Sequence, residues 1–257
     1  MKITQYAQGH ACWVELANHD WQAAKTFYQA LFGWDSVDMP IPEGHFSLFN
    51  LAGDDLGAMY QIPESESQIP SHWRVYFAVD DMDASIAAIQ AAGGQVHMGP
   101  HIVADAGVMA QVSDPQGARF ALWQAKNHIG ARRQGELNTL CWVELACKEP
   151  RTEEAFYCKI FPWTNSPSDM PDIEYSEWQV DGQSIGGMMT IMPEWGDISP
   201  HWLLYFAVAD CDAFAEKAQA LGAQVCIPPS DIPDVGRFSV IADAQGATFA
   251  VIKLNQM

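Results

Sequence analysis

His72-Trp-Arg-Val-Tyr-Phe-Ala-Val-Asp-Asp81 recurs 129 residues later as His201-Trp-Leu-Leu-Tyr-Phe-Ala-Val-Ala-Asp210. At the same spacing Cys12-Trp-Val-Glu-Leu16 returns as Cys141-Trp-Val-Glu-Leu145, and Phe27-Tyr28 as Phe156-Tyr157. Gly107 and Gly236 match as well, and Asp114-Pro-Gln-Gly117 returns as Asp243-Ala-Gln-Gly246. This many matches in one register, with no net insertion, identify a tandem duplication. Its period is too long for a solenoid and suits an ordinary domain.

Alternation within the repeated stretch predicts a strand over 72–79. Trp73, Val75, Phe77 and Val79 fall on one apolar face, and His72, Arg74, Tyr76 and Ala78 on the other. A helix over about 82–92 follows, capped by Asp81 and ended by Gly93-Gly94, then strands near 95–98, 108–113 and 118–124. The first half of the copy has the same grammar. Residues 11–17 alternate, with Cys12, Val14 and Leu16 on one face and Trp13, Glu15 and Ala17 on the other. Asp20 then caps a helix with an Ala24, Phe27, Tyr28, Leu31 stripe, stopped by Gly33. In copy two Glu149 holds the cap position, Pro150 the first helical turn, and Pro162 the stop. Strands near 34–39, 45–51 and 56–62, with turns at Pro40, Pro42, Gly44 and 53–55, have counterparts near 163–169, 174–180 and 184–192. The predicted fold is α+β: four βαβββ units in two pairs, forming two domains, 1–125 and 137–257. Residues 126–136 are expected to be a polar linker.

The chain has 257 residues and a net charge of −19. That balance argues against nucleic acid and anionic membranes as partners, because phosphate binding needs a basic surface. No apolar run is long enough to span a bilayer, and the first residues lack the apolar core of a signal peptide. Six cysteines without CxxC spacing suit free thiols in a reducing cytoplasm. No GxGxxG or GxxxxGK[ST] supports a nucleotide site.

Several residues carry a family likeness: the Phe27-Tyr28 helix ending Leu-Phe-Gly33, then Val79-Asp80-Asp81, Ala92-Gly93-Gly94, and Gly107 followed by Asp114-Pro115-Gln116-Gly117. Together they resemble the glyoxalase/bleomycin resistance/extradiol dioxygenase domains of the vicinal oxygen chelate superfamily, over about 11–124 and 140–252. The resemblance implies that paired βαβββ units curl into a cup. It also implies a divalent metal held by the opening strand and the last strand of each unit. Carried onto this chain, those positions fall at about Trp13, Met59, Arg74 and Ala121 in copy one, and at Trp142, Met188, Leu203 and Ala250 in copy two. None suits Zn²⁺, Fe²⁺, Mn²⁺ or Ni²⁺, which take imidazole, carboxylate or thiolate. No metal and no other cofactor is therefore expected.

Glu15 and Glu144 lie one alternation past the first of these positions, on the expected cup face. A carboxylate in an apolar cup has a raised pKa and suits a general base; the alternatives are a structural acid or a Glu15–Arg74 ion pair. Expected ligand contacts are Trp13, Glu15, His72, Arg74, Tyr76 and Arg119 in copy one, and Trp142, Glu144, His201 and Tyr205 in copy two. A His97–His101 metal pair across Gly99-Pro100 is not expected. The expectation is a cytoplasmic, metal-free binder of a small organic molecule, monomeric with an internal pseudo-dimer and with a further homodimer left open. Copy one is favoured as the working site. The alternatives are a metal-dependent lyase or dioxygenase with relocated ligands, and a purely structural assembly role with filled cups.

Overall fold

A computed structural model describes residues 2–41, 44–168 and 173–256. Pro42 of the predicted turn and residue 169 of a predicted strand lie outside them. The first unit comprises β1 (Ala11–Asn18), α1 (Trp21–Phe32), β2 (Asp35–Met39), β3 (Phe46–Leu51) and β4 (Asp54–Gln61). The second comprises β5 (His72–Ala78), α2 (Met82–Ala91), β6 (Gln95–Val103), β7 (Gly107–Ser113) and β8 (Arg119–Ala125). Copy two repeats the order: β9 (Leu140–Cys147), α3 (Pro150–Ile160), β10 (Thr164–Ser168), β11 (Tyr175–Val180), β12 (Gln183–Thr190), β13 (His201–Ala207), α4 (Cys211–Ala220), β14 (Gln224–Ile232), β15 (Gly236–Ala242) and β16 (Thr248–Leu254).

Each copy builds one eight-stranded mixed sheet, β2-β3-β4-β1-β5-β8-β7-β6 and β10-β11-β12-β9-β13-β16-β15-β14. The two opening strands of a copy pair antiparallel at its centre, and each pairs in parallel with the last strand of its own unit. The caps behave as their chemistry dictates. Asp20 accepts from the Ala23 N–H and Asp81 from the Ala84 N–H, while Gly33 closes α1 at φ 73°. Glu149 makes no side-chain capping bond, so Pro150 carries that boundary.

One face of both sheets and all four helices enclose a single core. Val14, Leu16, Trp73, Val75 and Phe77 of the first sheet share it with Val143, Leu145, Trp202, Leu204 and Phe206 of the second. Helix α1 crosses to the other half: Phe32 packs on Phe206 and Phe214 at 5.2 and 4.8 Å between centroids. The Asp-x-Gln-Gly turns act as reciprocal clasps. The Trp73 indole N–H donates to the Tyr28 hydroxyl at 3.0 Å, and that hydroxyl donates to Asp243 Oδ2 at 2.9 Å. Trp202, Tyr157 and Asp114 repeat the relay at 3.0 and 3.0 Å. Gln245 Oε1 accepts from the His19 and Asp20 N–H groups that open α1, and Gln116 Oε1 does the same for Lys148 and Glu149 before α3. The contact is thus a pseudo-twofold, self-complementary interface inside one chain.

One of the buried positions at which the copies differ lies on the first helix of each half. Where copy one has Ala24, copy two has Glu153, fully buried. Gln116 Nε2 donates to Glu153 Oε1 at 2.7 Å, while Oε2 has no partner. Burial, together with the nearby Asp114 carboxylate, pushes Glu153 up to about 8.

Two expectations need correction. A bulge between Ala11 and Trp13 removes Cys12 from the Val14–Leu16 face and packs it with Trp13 on the opposite side. Residues 126–136 are not a free linker. They strap the first sheet, with Ala131 N bonded to the Cys12 carbonyl, Arg132 N to the Asp55 carbonyl, and the Arg133 guanidinium to Asp54 at 2.8 Å.

Candidate functional site

The cross-strand register of β1 and β5 sets Trp13 opposite Tyr76, Glu15 opposite Arg74 and Ala17 opposite His72. Alternation then directs Trp13, Glu15, His72, Arg74 and Tyr76 to the face away from the shared core. Tyr60, Phe46 and Leu48 join that face from β4 and β3, and Ala121 and Trp123 from β8. In copy one the Tyr76 hydroxyl donates to Glu15 Oε1 at 2.8 Å, and Arg74 Nη1 lies 3.6 Å from the same oxygen. Arg74 Nη2 is 2.9 Å from His72 Nε2, and His72 Nδ1 is 2.8 Å from the Pro70 carbonyl. Nδ1 therefore carries the proton and Nε2 accepts, the neutral tautomer. Burial and the adjacent guanidinium hold the His72 pKa below its ordinary value in the same sense.

Burial raises the Glu15 pKa, and Arg74 and Tyr76 offset part of that rise. Arg74 is 6% exposed, and its Nη1 has no hydrogen-bond acceptor. The half-buried Tyr60 phenol stands beside the guanidinium. Arg119, exposed on β8, lies at the rim near His72 and His97. His97 itself bonds Ser113 at 2.9 Å.

Copy two keeps the carboxylate and loses the cation. Leu203 stands opposite Glu144, in the place of Arg74. The Tyr205 hydroxyl donates to Glu144 at 2.8 Å, and Tyr175, itself accepting from the Trp142 indole at 3.1 Å, stands beside Glu144. Tyr175 lies where only the bare Cα of Gly187 leaves room. Glu144 is 6% exposed, and burial raises its pKa while the phenols of Tyr205 and Tyr175 offset part of the rise. His201 stays apart from this cluster, its Nδ1 2.9 Å from the Ser199 carbonyl.

The metal positions implied by resemblance can be tested against these side chains. Met59 pairs with Leu16 and Met188 with Leu145, so both thioethers enter the shared core. The residues that face the cup instead are Ala58 and Tyr60, and Gly187 and Met189. Indole, guanidinium, methyl and phenol groups do not fit a divalent ion. Among the described residues no three His, Cys, Asp or Glu side chains come together to hold one.

Other lining groups were not foreseen from sequence. Trp13 packs edge-on against His128 of the strap at 4.9 Å, and the Trp123 indole donates to the His128 carbonyl at 2.9 Å. The Tyr6 hydroxyl donates to the Ala131 carbonyl at 2.7 Å. Strict alternation could have found Tyr60 and Trp123. Nothing local signals that 126–136 folds back onto the sheet.

Comparison with known proteins agrees with this architecture. Residues 9–122 match the family model described as Glyoxalase/Bleomycin resistance protein/Dioxygenase superfamily, and residues 142–252 match the model of a glyoxalase-like domain. The chain is 41% identical over 256 residues to CFP32 of Mycobacterium tuberculosis, named as a candidate glyoxylase, covering 98% of this chain and 97% of that protein. It is 32% identical over 267 residues to the anthracycline biosynthesis protein DnrV of Streptomyces peucetius, with 99% and 96% covered. Among solved structures, the Mn(II)-bound glyoxalase of Novosphingobium aromaticivorans superposes with a TM-score of 0.65 at 16% identity, covering 96% of this chain and 82% of that one. The 2,3-dioxygenase LapB of Pseudomonas sp. KL28 gives 0.66 at 10% identity, covering 96% and 93%. At those identities the two structures share the fold alone.

Proposed function

Since the chain belongs, through both halves, to the glyoxalase/bleomycin resistance protein/dioxygenase superfamily, we propose that it binds a small organic molecule in its cups without the divalent ion. One observation carries this: at each place where the family resemblance puts an ion ligand, the chain has Trp, Arg, Leu, Ala, Gly, Met or a phenol. In copy one those groups surround the Glu15–Tyr76–Arg74–His72 network. A mostly apolar wall with a few convergent polar groups suits a small, partly apolar ligand. The anthracycline biosynthesis name of one relative is consistent with a fused-ring molecule. Glu15, with its raised pKa, is placed to take a proton from such a molecule; Glu144 is its counterpart in copy two. The working form is a cytoplasmic monomer that carries its own pseudo-dimer.

The glyoxylase name of CFP32 favours an enzymatic second reading, which in this family is a metal-dependent lyase or dioxygenase with relocated ligands. Metal analysis of protein purified without chelator, then dialysed against Mn²⁺, Fe²⁺, Ni²⁺ and Zn²⁺, separates the two. The expected result is no retained ion. One tightly held ion per half would overturn the metal-free reading, especially if Glu15→Gln released it.

A further inference from the structure

The two cups have diverged in ways that specify different ligands. In copy one Arg74 is more than nine-tenths buried, always charged, and leaves the Nη1 donor without an acceptor. A shielded N–H of a charged group without an acceptor is costly, and an oxygen acceptor brought by a ligand removes that cost. Glu15 Oε1 forms an ion pair with this nitrogen, but at 3.6 Å it is too far to accept a hydrogen bond from it.

Away from Arg119, part of the rim of the same cup is apolar. Val37 and Met39 of β2 pair with Leu48 and Phe46, which pack toward the cup, and are 54% and 41% exposed. Across the cup Met98 of β6, paired with Gln111, is 43% exposed. Copy two has Ser166 and Ser168 where copy one has Val37 and Met39, and Leu203 for Arg74. A buried cation below exposed apolar side chains is therefore particular to cup one.

We infer that cup one takes an amphipathic organic acid, its anionic oxygen on Arg74 Nη1 and its apolar body against Val37, Met39, Phe46, Leu48 and Met98. The inference rests on the reading of the cup as a ligand site. It adds the charge and orientation of the ligand.

Isothermal titration of the full chain with 2-naphthoate, 2-naphthamide and 2-naphthylmethylamine tests it, since the three share a ring system and differ in charge. Naphthoate is expected to bind about 10- to 100-fold more tightly than the amide, the range of a charge-assisted hydrogen bond, with the amine weakest. Arg74→Gln should reduce naphthoate to the level of the amide, and Arg74→Lys should keep part of the preference. Val37→Ser and Met39→Ser, which copy the second cup, should weaken acid and amide alike. Equal affinity for acid and amide in the unaltered protein would overturn the inference while leaving the cup as a ligand site. Saturable binding of none of the three would overturn both. The comparison in the unaltered protein needs no variant to fold.

Discussion

Replacing Glu153 by Gln tests the packing of the two halves more directly than any surface change. Glu153 is fully buried, one carboxylate oxygen has no partner, and its pKa rises from 4.5 to about 8, through burial first and Asp114 second. Between those values the folded chain holds a proton that the unfolded chain has lost. Stability therefore falls as pH rises through this window, and the loss is complete above about 8. At about 1.36 kcal/mol per unit the shift sets a ceiling of about 5 kcal/mol. The coupling of Glu153 and Asp114 spreads that proton over both groups, and an unsatisfied buried polar group typically costs about 1–3 kcal/mol, so about 2 kcal/mol is expected. An amide at 153 has no proton to lose, can still accept from Gln116, and can donate to Asp114. Glu153→Gln should thus match the parent near pH 4.5 and exceed it at pH 8.5 by roughly 4–8 °C in melting temperature, from about 2–4 °C per kcal/mol for a chain of this size. Differential scanning calorimetry of both proteins between pH 4.5 and 8.5 reads the difference, so other titrating groups cancel. A pH-independent difference between the two curves would refute the reasoning.

The clasp hydroxyls make a paired prediction. Tyr28→Phe or Tyr157→Phe leaves a buried indole N–H and a buried carboxylate each short of a partner, and each should cost about 1–3 kcal/mol in guanidinium unfolding. A loss below about 0.5 kcal/mol in both would show that the relays carry no stability. Gly130→Ala should detach the strap, because Gly130 sits at φ +108° and a Cβ there would overlap the Cys12 carbonyl. Faster amide exchange at Ala131 and Arg132, with red-shifted fluorescence from Trp13 and Trp123, is the expected outcome. Among the cysteines, exposed Cys226 should react first with a thiol reagent, and buried Cys12, Cys147 and Cys211 only after denaturation. Fast labelling at Cys12 would mean that the strap is open in solution.

Much of this protein was legible before any coordinates. Matches at one register identified the duplication, and period-two and period-3.6 patterns placed strands and helices within a few residues of their ends. The same alternation put Trp13, Glu15, Arg74 and Tyr76 on one face, because side-chain direction along a strand is a local property. The family resemblance also implied which residues of this chain stand at the expected metal positions, since residue identity does not depend on folding. Alternation fails at the bulge by Cys12, where the backbone departs from it, and the family position carried onto Met59 lies one residue off the cup face. What the tertiary structure alone decided are contacts between segments far apart in the chain. Asp114 and Gln116 read as an ordinary turn, and only docking of the two halves makes them the clasp for Tyr157 and α3. The strap over the first sheet, the unanswered Nη1 of Arg74 and the buried Glu153–Asp114 pair belong to the same class. Each depends on which surfaces meet when the halves close, and local periodicity carries no information about that.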